Sequence, residues 1–162
     1  MDLALHRAHI DVVSYLLAEW AHAIDDNRVE RIAELMCDDG RYTVSSRFNT
    51  DRGLPLAIID AQSAAQLRDR IRSMRLANIY QPQHYRHLIS SIQILGRGEQ
   101  GRLQVRSSFA VFRTLETTGD SIFFAGGRCD DLIDISGAEP RFARRHMIYD
   151  SRAVETLMII PI

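Results

Sequence analysis

Leu103-Gln104-Val105-Arg106-Ser107-Ser108-Phe109-Ala110-Val111 is the stretch that decides the fold. Leu103, Val105, Phe109 and Val111 alternate with Gln104, Arg106 and Ser108. A period of two marks an antiparallel strand with one face in a core and the other in water. The same period holds from His84 onward and predicts four strands, at about 85–96, 102–115, 121–135 and 140–150. Arg97-Gly98-Glu99-Gln100-Gly101 and Thr117-Thr118-Gly119-Asp120 read as hairpin turns between them. Gly126-Gly127 inside a strand predicts a bulge and a bend of the sheet.

Upstream of His84 the apolar period is that of a helix. Val13, Leu16, Leu17, Trp20 and Ile24 predict a helix over about 5–25, stopped by Asp25-Asp26-Asn27. Asn27 followed by Glu30 has the form of a capping box. It opens a second helix over about 28–37, with Val29, Ile32, Ala33 and Met36 on its buried face. Asp38-Asp39-Gly40 is expected to break that helix, with Gly40 in the left-handed position after its end. A first short strand follows over 41–45, then a loop from Ser46 to Pro55. Ser63 and Gln66 suggest another capping box, for a helix over about 61–78 whose buried stripe is Leu67, Ile71 and Met74. The apolar segment 156–162 is too short to stand alone and is expected to tuck into the core or onto a neighbour. Helices first and a long antiparallel sheet after predict one α+β domain over 1–162, the helices laid into the concave face of the sheet. This order of elements is similar to the cone-shaped fold of nuclear transport factor 2 and ketosteroid isomerase.

The bulk composition narrows the function. With 20 basic against 21 acidic residues, the chain is a poor match for the phosphates of nucleic acid or for an anionic membrane surface. Every basic residue is Arg, which suits planar, bidentate contacts with carboxylates. No run approaches the ~18 apolar residues of a membrane span, and the start MDLALHRAHI lacks a signal peptide's apolar stretch, so a cytoplasmic protein is expected. Cys37 and Cys129 have no paired spacing and are expected to pack as reduced thiols.

Chemistry on this chain is sparse. A Rieske centre needs two Cys and two His in paired spacings, and neither cysteine has a nearby histidine. His84 and His87 are three apart, which on a strand sends them to opposite faces. Asp38 and Asp39, with Tyr42, Tyr80 or Tyr85 as donors, allow a general-base reading; the same aspartates before Gly40 also suit a turn. Asp130, Asp131 and Asp134 are expected to meet Arg128, Arg144 or Arg145 rather than a metal. The pairs Arg86-His87 and Arg144-Arg145 are the candidate subunit-interface residues, because a guanidinium can bind a carboxylate on an adjacent chain. Pairing with acidic residues of the same chain is the equal alternative.

Three stretches carry a family resemblance. Glu30 through Val44, including Asp38-Asp39-Gly40-Arg41-Tyr42, resembles the helix-to-strand passage of the β (small) subunits of bacterial aromatic-ring-hydroxylating dioxygenases. Leu67 to Ile92, including Ala77-Asn78-Ile79-Tyr80 and Tyr85-Arg86-His87, resembles their third helix and the strand opening with an Arg-His pair. Arg144 to Arg152 and Thr156 to Ile162 resemble their closing strand, Asp-Ser turn and apolar tail. The look is that of enzymes acting on aromatic carboxylates such as terephthalate, anthranilate or halobenzoate. Two departures stand out: Ser91 where many members carry Asn, and Ile59-Asp60 where they carry an acidic pair.

The resemblance implies a non-catalytic subunit with no catalytic, cofactor-binding or metal-binding residues of its own. It implies a partner α subunit, in an α3β3 heterohexamer with contacts between β subunits. That partner holds a Rieske 2Fe-2S cluster and a mononuclear Fe(II), which receive electrons from NAD(P)H through a reductase. The competing reading is a free-standing isomerase or dehydratase of the same cone fold using Asp38, Tyr42 and His87; a ligand-binding adaptor is a third. The enzyme reading needs an open cone, and a cone filled by Trp20, Phe109 and Phe124 would remove it.

Overall fold

The structure is a computed structural model that describes residues 3–77, 80–152, 154 and 158–162. In chain order it runs α1 (Leu3–Asp25), α2 (Arg31–Glu34), β1 (Met36–Ser46), α3 (Arg47–Asp51), β2 (Ile59–Ala61), α4 (Ala64–Ala77), β3 (Gln83–Arg97), β4 (Leu103–Leu115), β5 (Ser121–Asp134) and β6 (Arg141–Tyr149). The strands form one sheet in the order β2-β1-β6-β5-β4-β3. All neighbours are antiparallel except β1 and β6, which run parallel. α1 packs along β3 and α4 against β1, so the helices cover the inner face of a curved, open sheet: the α+β cone.

α1 is held by its stripe: Val13, Leu16, Leu17, Trp20 and Ile24 are all 4% exposed or less. Each such burial stabilises by about 1.5–3 kcal/mol. The helix ends where predicted, but Asn27 acts differently from the expectation. It sits at φ 59°, and the amides of Asn27 and Arg28 bond back to the carbonyls of Ile24 (3.0 Å) and Ala23 (2.7 Å). That is the Schellman closure of α1, so Asn27 ends one helix instead of capping the next. The predicted capping box does not form, because Arg75 of α4 takes both of its members. Arg75 bonds to Asn27 Oδ1 at 2.7 Å and to Glu30 Oε1 at 2.7 Å.

The second helix shrinks to Arg31–Glu34, and β1 begins at Met36. Leu35 O accepts the amide of Phe142 at 2.8 Å, drawing the chain into register with β6 early. Four residues of β1 then lie between Met36 and Arg41, against one of β6 between Phe142 and Arg144. Asp38 and Asp39 lie in the resulting bulge, not at a helix end. Gly40 is required for closeness rather than for a left-handed backbone: a Cβ there would sit 2.7 Å from Phe142 O. The loop after β1 contains α3, capped by Ser46, whose Oγ accepts the Asn49 amide at 3.2 Å. Ser63 caps α4 by accepting the Gln66 amide, while the Gln66 side chain returns to the amide of Gln62, one residue earlier than the box requires.

In β3 two residues, Ser91 and Ile92, lie between the paired Ser90 and Gln93, against one in β4, and Ser91 takes φ 52° to absorb the surplus. Serine tolerates that left-handed conformation less well than asparagine or glycine. The β4–β5 irregularity falls between Val111 and Phe112, close to but not at the glycine pair. Gly127 serves packing: a Cβ there would collide with Ile148 O.

Residues 158–162 enter the core, with Met158, Ile160 and Ile162 buried. Trp20 Nε1 and Tyr42 Oη both donate to Ile162 O, at 3.2 and 2.6 Å. Residues 156 and 157 of the expected tail, and 78 and 79 of the Ala77–Tyr80 motif, lie outside the described residues.

Candidate subunit interface

The pair Arg86-His87 divides across the sheet. His87 points inward, with its side chain 1% exposed, and Arg86 points outward at 65%. Both reach Asp25 at the end of α1. His87 donates its backbone N–H to Asp25 Oδ2 at 2.9 Å, and its Nδ1 lies 2.6 Å from Oδ1. A carboxylate only accepts, so the proton is on Nδ1, and the assembly ties α1 to β3. Arg86 Nη1 lies 3.6 Å from Asp25 Oδ2. The pairing spans 62 positions and had no local signal; Asp25 reads as a helix stop from sequence.

Arg144-Arg145 divides the same way. Arg144 is exposed. Arg145 is fully buried and donates Nη1 to Asp131 Oδ2 at 2.8 Å. Its guanidinium lies 4.8 Å from the Trp20 ring and 4.7 Å from that of Phe142. Burial pushes the Asp131 carboxyl up to about 6, against the pull of Arg145. For Arg145 and His87 the intrachain alternative therefore replaces the interface expectation; Arg86 and Arg144 remain on the surface. The other predicted aspartates also find arginines, Asp130 with Arg106 and Arg128, and Asp134 with Arg102.

The outer face carries a feature missed in sequence. Arg86, Phe112 and Phe123 are successive cross-strand neighbours on β3, β4 and β5. Phe112 and Phe123 are 39% and 60% exposed, their rings edge to face at 6.0 Å, and Leu88 beside them is 55% exposed. The signal was present: Phe112 has the phase of Gln104, Arg106 and Ser108, the solvent side of β4.

The residues of the free-standing-enzyme reading do not converge. Asp38 is exposed and lines a surface cleft of about 460 Å³ with Cys37, Asp134 and Arg141. Tyr42 is sealed in the cone on Ile162, its hydroxyl deprotonation opposed by burial. His87 lies on β3, four strand steps from β1, roughly 19 Å along the sheet. Trp20, Phe109 and Phe124, at 0%, 4% and 6% exposure, fill the interior together with the tail. Cys129 is buried among them with its thiol pushed up to about 12, and burial also raises Cys37. Both favour the thiol over the thiolate that binds metals.

Comparison with known proteins agrees with this geometry. The family model described as "Ring hydroxylating beta subunit" matches residues 19–156. The small subunit of anthranilate 1,2-dioxygenase from Burkholderia cepacia is 32% identical, covering 86% of this chain and 85% of its own. The beta 2 subunit of the terminal oxygenase component of terephthalate 1,2-dioxygenase from Comamonas sp is 31% identical, covering 90% and 93%. A crystal structure from Novosphingobium aromaticivorans, assigned as the beta subunit of an aromatic-ring-hydroxylating dioxygenase, superposes with a TM-score of 0.86 at 32% identity, covering 98% of this chain and 99% of that one. The chain belongs to the ring hydroxylating beta subunit family.

Proposed function

We propose that this single-domain chain is the small, structural subunit of a dioxygenase acting on an aromatic carboxylate. The observation that carries the reading is the likeness to anthranilate and terephthalate dioxygenase small subunits over 86% and 90% of the chain. The filled cone supports it, because the space a free-standing enzyme needs is taken by core side chains and residues 158–162. The iron of such an enzyme does not fit this chain: among the described residues no three His, Cys, Asp or Glu side chains are grouped to hold a metal. The Rieske cluster and mononuclear Fe(II), with electrons from NAD(P)H through a reductase, belong to the large partner.

The outer face of β3–β5 is the surface offered to that partner. Phe112, Phe123 and Leu88 give it apolar area, and Arg86 a charge for an opposing carboxylate; Arg144 extends the same face along β6. Three copies cap a trimer of large subunits as α3β3, with contacts between neighbouring small subunits, and the assembly works in the cytoplasm. Among the described residues no helix is long and apolar enough to cross a membrane. The test is co-expression with a large oxygenase subunit from the same genome, followed by size exclusion with light scattering. An equimolar complex is expected. A large subunit that is stable and active while this chain elutes alone refutes the reading.

A further inference from the structure

The tail in the cone is held by hydrogen bonds to its main chain. Trp20 and Tyr42 donate to Ile162 O, and Arg70 Nη2 donates to Met158 O at 3.2 Å. Against the same Trp20 lies Arg145, fully buried. Its Nη1 is bonded to Asp131, while Nε and Nη2 have no acceptor among the described residues. These two nitrogens form the side-on edge of the guanidinium, the edge by which Arg41 grips both oxygens of Asp60 on the outer face. Buried N–H groups left unmatched are destabilising, and a paired fork of this shape is met by the two oxygens of a carboxylate. In the buried pair two Arg145 nitrogens are unmatched against one Asp131 oxygen, Oδ1, so the surplus is of donors and a complementary ligand is an anion. The surroundings, Trp20, Phe142 and Met147, are apolar.

We propose that the cone is a binding site for a small carboxylate with an apolar body, and that residues 158–162 occupy it in the free chain and yield to that ligand. The carboxylate takes the Nε/Nη2 edge of Arg145 together with the N–H of Trp20 and the O–H of Tyr42. The apolar body replaces Ile160 and Ile162. No bond is made or broken, and the site does not depend on the chain's role as a subunit.

Trp20 is the sole tryptophan, so its fluorescence reports on the site directly. Benzoate, with benzamide as the uncharged isostere, is titrated into the full chain and into a variant lacking residues 158–162. Benzoate is expected to quench Trp20 saturably in the shortened chain, with benzamide at least tenfold weaker and the full chain needing at least tenfold more benzoate. The Asp131→Leu/Arg145→Met variant loses the saturable response. A shortened chain that melts cooperatively yet ignores benzoate overturns the proposal, as does equal quenching by benzamide or a response that survives without Arg145. If the shortened chain does not fold, the full-length Ile160→Ala/Ile162→Ala variant decides. Quenching at lower benzoate than in the parent supports the site, and an unchanged or absent response overturns it.

Discussion

Arg145→Met leaves the Asp131 carboxylate, 0% exposed, without its 2.8 Å partner. Breaking a buried pair from one side costs about 3–5 kcal/mol. At about 2–4 °C per kcal/mol for a chain of this size, the melting temperature falls by roughly 6–20 °C. Asp131→Leu/Arg145→Met removes both charges and the unmatched nitrogens, and is expected within about 1 kcal/mol of the parent. The penalty also depends on pH. Asp131 has its folded pKa raised, to about 6 from an ordinary 3.8, so the native state holds the proton more tightly than the unfolded chain. Its contribution is full below the unfolded value and lost as pH rises through the folded one. Without Arg145 the strongest opposition to burial is gone, so the single variant's deficit is smallest in acid and grows toward neutrality. Urea unfolding followed by circular dichroism at about pH 5 and pH 8, for parent, single and double variants, measures it. Equal destabilisation of the single and double variants, or a deficit that is flat with pH, refutes the reasoning.

Ser91→Gly relieves the residue at φ 52° and is expected to raise stability by about 0.5–1 kcal/mol in a thermal melt; a loss would mean the bulge does not impose that angle. His146 is lowered from 6.5 chiefly by burial, so its contribution is present above 6.5 and lost as pH falls through the folded value. His146→Gln should flatten acid destabilisation below about pH 6.5, and an unchanged acid slope counts against this. Phe123→Asp, at a 60% exposed site, should leave the melt within about 0.5 kcal/mol while weakening the complex with the large subunit at least tenfold by light scattering; intact assembly would remove this face from the interface.

Elements set by periodicity were legible. The alternation of β4 and the stripes of α1 and α4 depend on residues two to four apart, and burial follows them. Errors arose where one local cue serves two geometries. Asp38-Asp39-Gly40 suits a helix end and a strand bulge equally, and the deciding contact is Phe142, a hundred positions away. Asn27 and Glu30 suit a capping box until Arg75 claims them. For the candidate interface, strand alternation already implied that one of Arg144 and Arg145 faces inward. What it hid was the partner, since Asp25 and Asp131 are brought to His87 and Arg145 only by the closed sheet.

The parallel pairing of β1 with β6 constrains how the molecule is made. As synthesis proceeds from the N-terminus, β1 emerges with only β2 to pair with, and its other edge waits for the last strand, about a hundred residues later. Trp20 waits longer still, for a residue 142 positions on. The β3–β6 meander forms from neighbours, whereas the N-terminal third keeps an open strand edge until β6 has been made. Nascent chains are therefore most vulnerable to misassociation before β6 emerges, and a stall at that point leaves a product that cannot bury its first strand.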